Sequence, residues 1–282
     1  MLRIRLMTAD DLPLGMRLKN QAGWNQTAAD WQRFLAMQPE GCLVAEQDGA
    51  AVGTAVVTTF ESVAWISMVL VEQSVRGRGI GKALMNQALD LAAELGCTSI
   101  RLDATPLGQP LYESLGFLPQ YELTRCAGIA RSTSAVSISP SVRIAEPEDI
   151  AAILAIDHSA TGTRRDKFLL RLFAEQSDAV RVAEVDGQFA GYLSVRPGSD
   201  AIQLGSCIAE TSAAGQSLLN DALNRYSLSR VYWDLPSSHS AAVALAQSAG
   251  LVPQRQLTRM CRGKNVNDDV IRLWASSGPE LG

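Results

Sequence analysis

Apolar and polar residues alternate from Leu2 to Met7 as they do along a strand. The spacing then becomes helical over Ala9 to Ala22, where Thr8 supplies a side chain suited to starting a helix. Phe34 and Leu35 fall three and four positions after Trp31, marking a second helix that Pro39 ends. Strand-like runs follow at Cys42 to Glu46, Val52 to Thr59 and Val63 to Val71, with Asp48-Gly49 turning the first into the second. Leu84, Ala88, Leu91 and Leu95 place a buried stripe on a helix from Ile80 to Leu95, and Ser99 to Ala104 alternates as a further strand. Strands and helices in this order predict an α/β fold built on a mixed sheet.

The pattern occurs twice. Val44-Ala45-Glu46-Gln47-Asp48-Gly49 returns as Val182-Ala183-Glu184-Val185-Asp186-Gly187, and Ile4-Arg5-Leu6 returns as Val142-Arg143-Ile144. Near the end of each copy Leu123-Thr124-Arg125 returns as Leu257-Thr258-Arg259, and Gly116 as Gly250. A repeat this long is a duplicated domain, because a solenoid unit spans only ~20–50 residues. The expected organisation is a first domain over 1–130, a linker over 131–141 rich in Ser and Thr, a second domain over 142–264 and a polar tail over 265–282.

The candidate chemistry lies between the third strand-like run and the helix that follows. Residues 76–82 read Arg-Gly-Arg-Gly-Ile-Gly-Lys. Glycines let backbone N–H groups approach a ligand closely, and a helix N-terminus adds unpaired N–H groups and partial positive charge. Such a turn suits a diphosphate, and Arg76, Arg78 and Lys82 add formal charge. The spacing excludes a P-loop, which needs four residues before Gly-Lys and then Ser or Thr; here three residues separate Gly77 from Gly81, and Ala83 follows Lys82. It also excludes the G-x-G-x-x-G dinucleotide fingerprint.

What fits is Q/R-x-x-G-x-G/A, with Arg76, Gly79 and Gly81 in the fixed places, followed after the next strand by Leu111-Tyr112-Glu113-Ser114-Leu115-Gly116-Phe117. In this order the two motifs resemble the GNAT superfamily of N-acetyltransferases over roughly residues 2–128. The resemblance implies two tandem GNAT folds and acetyl-CoA as co-substrate, its diphosphate on Arg76, Gly77, Arg78, Gly79, Ile80, Gly81 and Lys82. It implies that Val69, Leu70 and Val71 pair with the pantetheine arm and that Tyr112 faces the coenzyme sulfur as general acid. One departure is Thr105, with Pro106 beside it, where the family often has Asn.

For a base that deprotonates the amine, Glu61 and Asp103 are both candidates, beside deprotonation through water. Trp24 and Asn25, between the first two helices, are candidates for the acceptor pocket; Trp24 plugging the helix junction is the alternative. In the second copy the glycine turn reads Glu210-Thr211-Ser212-Ala213-Ala214-Gly215-Gln216, and Ala246 stands where Tyr112 should recur. The basic residues are gone and an acid stands nearby, so the second copy is expected to be catalytically silent. The expected activity is acetyl transfer to the primary amine of a small molecule. The alternatives are a protein or peptide amine as acceptor, and a non-catalytic acyl-CoA sensor.

Composition changes this picture little. Hydrophobic residues make up 47% and charged residues 19%, as in a chain with a sizeable core. No apolar stretch reaches the ~20 residues of a membrane span and the first residues lack a signal-peptide pattern, so no membrane partner is expected. A net charge of −4 argues against nucleic acid. Five cysteines without C-x-x-C spacing argue against metal or disulfide roles and point to a cytoplasmic setting.

Overall fold

The structure, a computed structural model, describes residues 1–132 and 140–282. Most of the expected linker therefore lies outside the described residues. In the first half, β1 (Leu2–Leu6), β2 (Cys42–Gln47), β3 (Ala50–Phe60) and β4 (Val63–Val71) pair antiparallel in that order, and β5 (Ser99–Ala104) joins β4 in parallel. Helices α1 (Leu12–Gln21) and α2 (Ala28–Met37) connect β1 to β2, α3 (Ile80–Glu94) connects β4 to β5, and α4 (Gln109–Ser114) leads into β6 (Leu118–Ile129). Asp48 and Gly49 both take positive φ, the conformation a tight hairpin turn requires.

The second half repeats this plan with β7 (Ser141–Ile144), α5 (Ile150–Thr161), α6 (Asp166–Glu175), β8 (Arg181–Val185), β9 (Gln188–Arg196) and β10 (Ile202–Ala209). It continues through α7 (Ser212–Arg225), β11 (Arg230–Pro236), α8 (Ser240–Ser248), β12 (Val252–Gly263) and a short extra strand, β13 (Leu273–Ala275).

All the strands belong to one sheet, in the order β1-β2-β3-β4-β5-β12-β6-β11-β10-β9-β8-β7, with β13 pairing β10 off this path. The last long strand of each half is thus exchanged: β12 inserts between β5 and β6, and β6 pairs β11 of the second half. One core packs α1, α2, α5 and α6 together on one face, joining Trp31, Phe34 and Trp65 to Ile153, Phe168 and Leu281. Two further cores lie under α3 in the first half and under α7 and α8 in the second.

The exchange fixes a repeated ion pair. Arg259 on β12 stands opposite Asp103 on β5 and donates to both its oxygens at 2.8 and 2.9 Å. Arg125 on β6 stands opposite Asp234 on β11 and does the same at 2.7 Å twice. The repeated Leu-Thr-Arg triplet therefore places each arginine on the aspartate of the other half. Asp268 completes the first cluster, accepting from Arg101 and Arg259 at 2.8 Å and from the Tyr121 hydroxyl, while Arg259 lies 4.8 Å over the Trp65 ring.

The segment after Lys264 is a correction. It was expected as a polar tail, yet Leu273, Trp274 and residues 275–278 and 280–282 are buried. Apolar anchors among small and polar residues give no periodicity to read. The reason for burial is an opening in the sheet: β10 pairs β11 only from Ile202 to Leu204, and β13 enters where the two diverge. There Cys207 and Ile208 pair with Ala275 and Leu273, while Ser276 N–H donates to the Asp234 carbonyl and Trp233 Nε1 to the Trp274 carbonyl. Trp274 lies against α7 at Gly215, where an added Cβ would come within 2.1 Å of its ring.

Burial opposes ionisation of Asp268, but Arg259, Arg101 and the Tyr121 hydrogen bond outweigh it and hold the carboxyl well below the usual range. Asp268→Asn is expected to remove about 3 kcal/mol at neutral pH, since it leaves two buried arginines short of a charge. A depressed carboxylate contributes fully above its unfolded value near ~4 and loses its contribution as pH falls below that. Denaturant titrations should therefore show the gap between wild type and mutant closing in acid; a gap unchanged from pH 7 to pH 3 would refute the assignment.

Candidate active site

Strand β4 loses its β5 neighbour after Trp65, because the parallel register covers only Val63–Trp65 against Ser99–Arg101. Its far edge stays paired to β3 as far as Val71, so residues 66–71 present one row of main-chain groups to open space. Midway along, Met68 takes φ 52°, and the pairing with β3 shifts register there. This bulge moves Met68 and Leu70 onto the α1–α2 face and Val69 and Val71 onto the α3 face, re-aiming the strand at the point where its edge opens.

The glycine turn follows. Gly77 and Gly79 have φ 77° and 80°, and an added Cβ at either would meet nothing, so glycine is required there by backbone conformation and not by crowding. Gly79 caps α3 without a side chain, and the first helical bond runs from Ala83 N–H to the Gly79 carbonyl. The N–H groups of Ile80, Gly81 and Lys82 are left pointing outward. Arg76, Arg78 and Lys82 are exposed around them, with Arg76 Nε also donating to the Val71 carbonyl. Free amides, helix dipole and three cations fit a diphosphate.

The turn and the open strand edge line one cavity of about 710 Å³ with α4 and two segments of the second half. Tyr112 is in its wall, packed edge-on against Phe117 and touching Gly108. Its hydroxyl has no hydrogen-bond partner among the described residues, and burial pushes its pKa up to about 12. The rest of the wall comes from Trp24 and Gln26 between α1 and α2, Ser67 on β4, Arg125 on β6, and Arg255, Leu257, Pro279 and Glu280 of the second half.

Some expected residues stand elsewhere. Asn25 is buried outside the cavity. Its amide donates to the Ala201 carbonyl at 2.9 Å and accepts from the N–H groups of Asp200 and Ala201 at 3.0 Å, so it clamps the β9–β10 connection and does not line the cavity. Glu61 sits at the β3–β4 turn with its side chain 70% exposed, 3.7 Å from Arg164 and away from the cavity lining. Asp103 does line the cavity, but both oxygens are engaged by Arg259, as the equivalent Asp234 is by Arg125. Its carboxyl is raised by burial against the pull of Arg259, and it acts as a partner of that arginine and not as a free base.

Of the other cavity residues, Gln26 belongs to the same segment between α1 and α2 as Trp24 and Asn25, whereas Ser67, Arg255 and Glu280 carry no sequence signal. Gln26 donates to Glu280, and its own Oε1 and the Ser67 Oγ are buried without partners. Glu280, which also pairs with Arg196, and Arg255 come from the second half, whose approach only the strand exchange explains.

The second copy of the site is closed at each corresponding point. Thr211 caps α7, its hydroxyl accepting from Ala214 N–H at 3.2 Å, and Ala246 is fully buried in α8. The divergence of β10 from β11, equivalent to the opening beside β4, is filled by β13.

Comparison with known proteins agrees with this geometry. The model of the Acetyltransferase (GNAT) family matches residues 13–117, and that of the Acetyltransferase (GNAT) domain matches residues 153–275. The chain is 28% identical over 235 residues to the uncharacterized N-acetyltransferase YitH of Bacillus subtilis, covering 80% of this chain and 79% of that one. It is 24% identical over 261 residues to the holothin acyltransferase of a Pseudoalteromonas species, covering 92% and 87%. A solved putative acetyltransferase from Pyrococcus horikoshii superposes with a TM-score of 0.84 at 20% identity, over 100% of this chain and 96% of that one. With both halves matched and the fold shared end to end, the chain belongs to the GNAT acetyltransferases, as a tandem acyltransferase enzyme that uses acetyl-CoA as co-substrate.

Proposed function

We propose that the chain transfers acetyl from acetyl-CoA to the primary amine of a small molecule by direct attack, with Tyr112 as general acid. The observation that carries this reading is the Tyr112 hydroxyl, without a hydrogen-bond partner among the described residues and set in the wall of a cavity that runs from the glycine turn to Ser67, Gln26 and Arg255. A sensor of acyl-CoA would need no such donor. Walls from Trp24, Leu257, Pro279 and Glu280 bound one concave cavity of about 710 Å³, the size of a small-molecule site, which favours a small acceptor over a peptide.

In this reading the amine lone pair attacks the thioester carbon, the carbon–sulfur bond breaks, and the departing sulfur takes the Tyr112 proton. Solvent then reprotonates the tyrosinate and accepts the proton released by the nitrogen. A phenol pushed to about 12 is still matched to its task, because burial that disfavours a phenolate disfavours a thiolate in the same way. A thiolate released in that setting is comparably basic. The open row of β4 main-chain groups at residues 66–71 supplies partners for the pantetheine arm, and a backbone N–H there can polarise the thioester oxygen. Among the described cavity-lining residues both carboxylates, Asp103 and Glu280, are ion-paired, so the amine enters neutral and loses its second proton through water.

Tyr112→Phe is expected to lower kcat ~100-fold or more while leaving the acetyl-CoA Kd near wild type; undiminished turnover in thiol-release assays would remove the residue from the mechanism. Glu61→Gln should keep the wild-type pH–rate profile.

Calorimetric titration should give one acetyl-CoA per chain, because the second cleft is filled. Gly79→Val, forced into positive φ, should weaken binding ~10-fold or more. Two sites per chain would contradict the filled second cleft.

A further inference from the structure

The cavity holds a charge that the protein leaves unanswered. Arg255 on β12 is half-buried in its wall and makes no hydrogen bond or ion pair among the described residues. Its cross-strand neighbour is Arg125, also in the wall. The two differ in kind: Arg125 is held bidentate by Asp234 and stacked 4.8 Å over Tyr232, whereas the guanidinium fork of Arg255 is free. Like charges directly opposite on neighbouring strands are unfavourable. Burial and Arg125 together hold Arg255 below the ordinary arginine value, with Asp234 opposing them. Of the cavity's carboxylates, Glu280 is engaged by Arg196 and Gln26, and Asp103 by Arg259. None is left to serve Arg255.

Two buried atoms in the same wall also lack partners, Ser67 Oγ and Gln26 Oε1, and both can accept a hydrogen bond. Trp24, Leu257 and Pro279 add apolar wall. Acceptors suited to an N–H group and a free cationic fork therefore share one chamber, with apolar surface beside them. A free guanidinium presents parallel N–H groups that match a carboxylate or phosphate in a bidentate fit.

We propose that the acceptor is a small amine carrying a carboxylate or phosphate group, and that Arg255, on the strand exchanged from the second half, binds that group. This rests on the acetyl-transfer reading above, and makes Arg255 a specificity residue contributed by the copy that has no active cleft of its own.

The test compares matched acceptors, 4-aminobutyrate against butylamine for a carboxylate and 2-aminoethyl phosphate against ethanolamine for a phosphate, by kcat/KM in thiol release. Wild type should prefer the anionic member of at least one pair, and which pair shows the preference separates carboxylate from phosphate. Arg255→Met should shrink that preference ratio ~10- to 100-fold through KM, and Arg255→Lys should retain part of it. Thermal melting and acetyl-CoA titration of both variants control for folding. Turnover without anionic preference, or a preference that survives Arg255→Met, would overturn the proposal while leaving acetyl transfer standing. Acetyl-CoA binding with no thiol release from any of these amines or a broader amine panel would defeat the transfer reading, and this proposal with it.

Discussion

Two bidentate arginine–aspartate pairs, Arg259 with Asp103 and Arg125 with Asp234, hold the molecule in its particular form. Each links the last long strand of one half to the fifth strand of the other, directly opposite in register. Main-chain ladders alone would tolerate either arrangement, since β6 or β12 could complete its own half equally well. The two pairs alone do not choose between them either, because triplet and aspartate both recur and a strand kept at home would meet an equivalent carboxylate; what distinguishes the crossed form is the buried charge gathered around the first pair. Around the first pair, Asp268, Arg101 and Tyr121 complete a network that reaches from β5 to the segment beyond β12. With that network in place the sheet is continuous, and the chamber beside β5 has a wall from the second half.

The two copies solve one structural problem in different ways. Parallel strands that diverge leave main-chain donors and acceptors without partners, and buried groups of that kind are costly. Beside β4 the opening adjoins an uncapped helix terminus and three exposed cations, a setting for a ligand with polar atoms along its length and negative charge at one end. Beside β10 the same opening is filled by the chain itself, with Trp274 seated on Gly215 and Thr211 closing the helix terminus. Loss of the basic turn in the second copy and occupation of its cleft are therefore two expressions of one change. The freed copy still contributes, since the segment that fills its cleft runs on to place Pro279 and Glu280 in the first copy's chamber.

Much of this was legible in the residues. The Asp-Gly turns, the glycine turn with its positive φ values and the frame around Tyr112 follow from local chemistry that each position enforces on its own. The duplication was legible too, and so was the repeated Leu-Thr-Arg triplet. Its meaning was not, because a repeat looks the same whether its last strand stays at home or crosses over. The bulge at Met68 is not legible in the sequence because a non-glycine residue in the left-handed region carries no compositional mark. Asn25 resembles a pocket residue in the sequence because its polar side chain gives no hint that it faces the β9–β10 connection. Asp103 looked like a base for a similar reason: its partner lies more than 150 positions along the chain. The burial of 273–282 stayed hidden because three apolar anchors in ten residues show no period.

These observations bear on what a single half could be. A fragment ending near residue 130 would keep the glycine turn, the open strand edge and Tyr112, and by motif alone it would look complete. With β6 in its present place it would also carry Asp103 without Arg259 and a bare edge on β5, and even with β6 moved beside β5 it would carry Arg101 without Asp268. Unpaired buried charge and an exposed strand edge each favour unfolding or association. The chamber would lose Arg255, Leu257, Pro279 and Glu280 in the same step. The residues proposed to hold the coenzyme all lie in the first copy. In the proposed reading the acceptor wall is shared between the halves, so the second copy contributes strands to the sheet and side chains to the cavity without a cleft of its own.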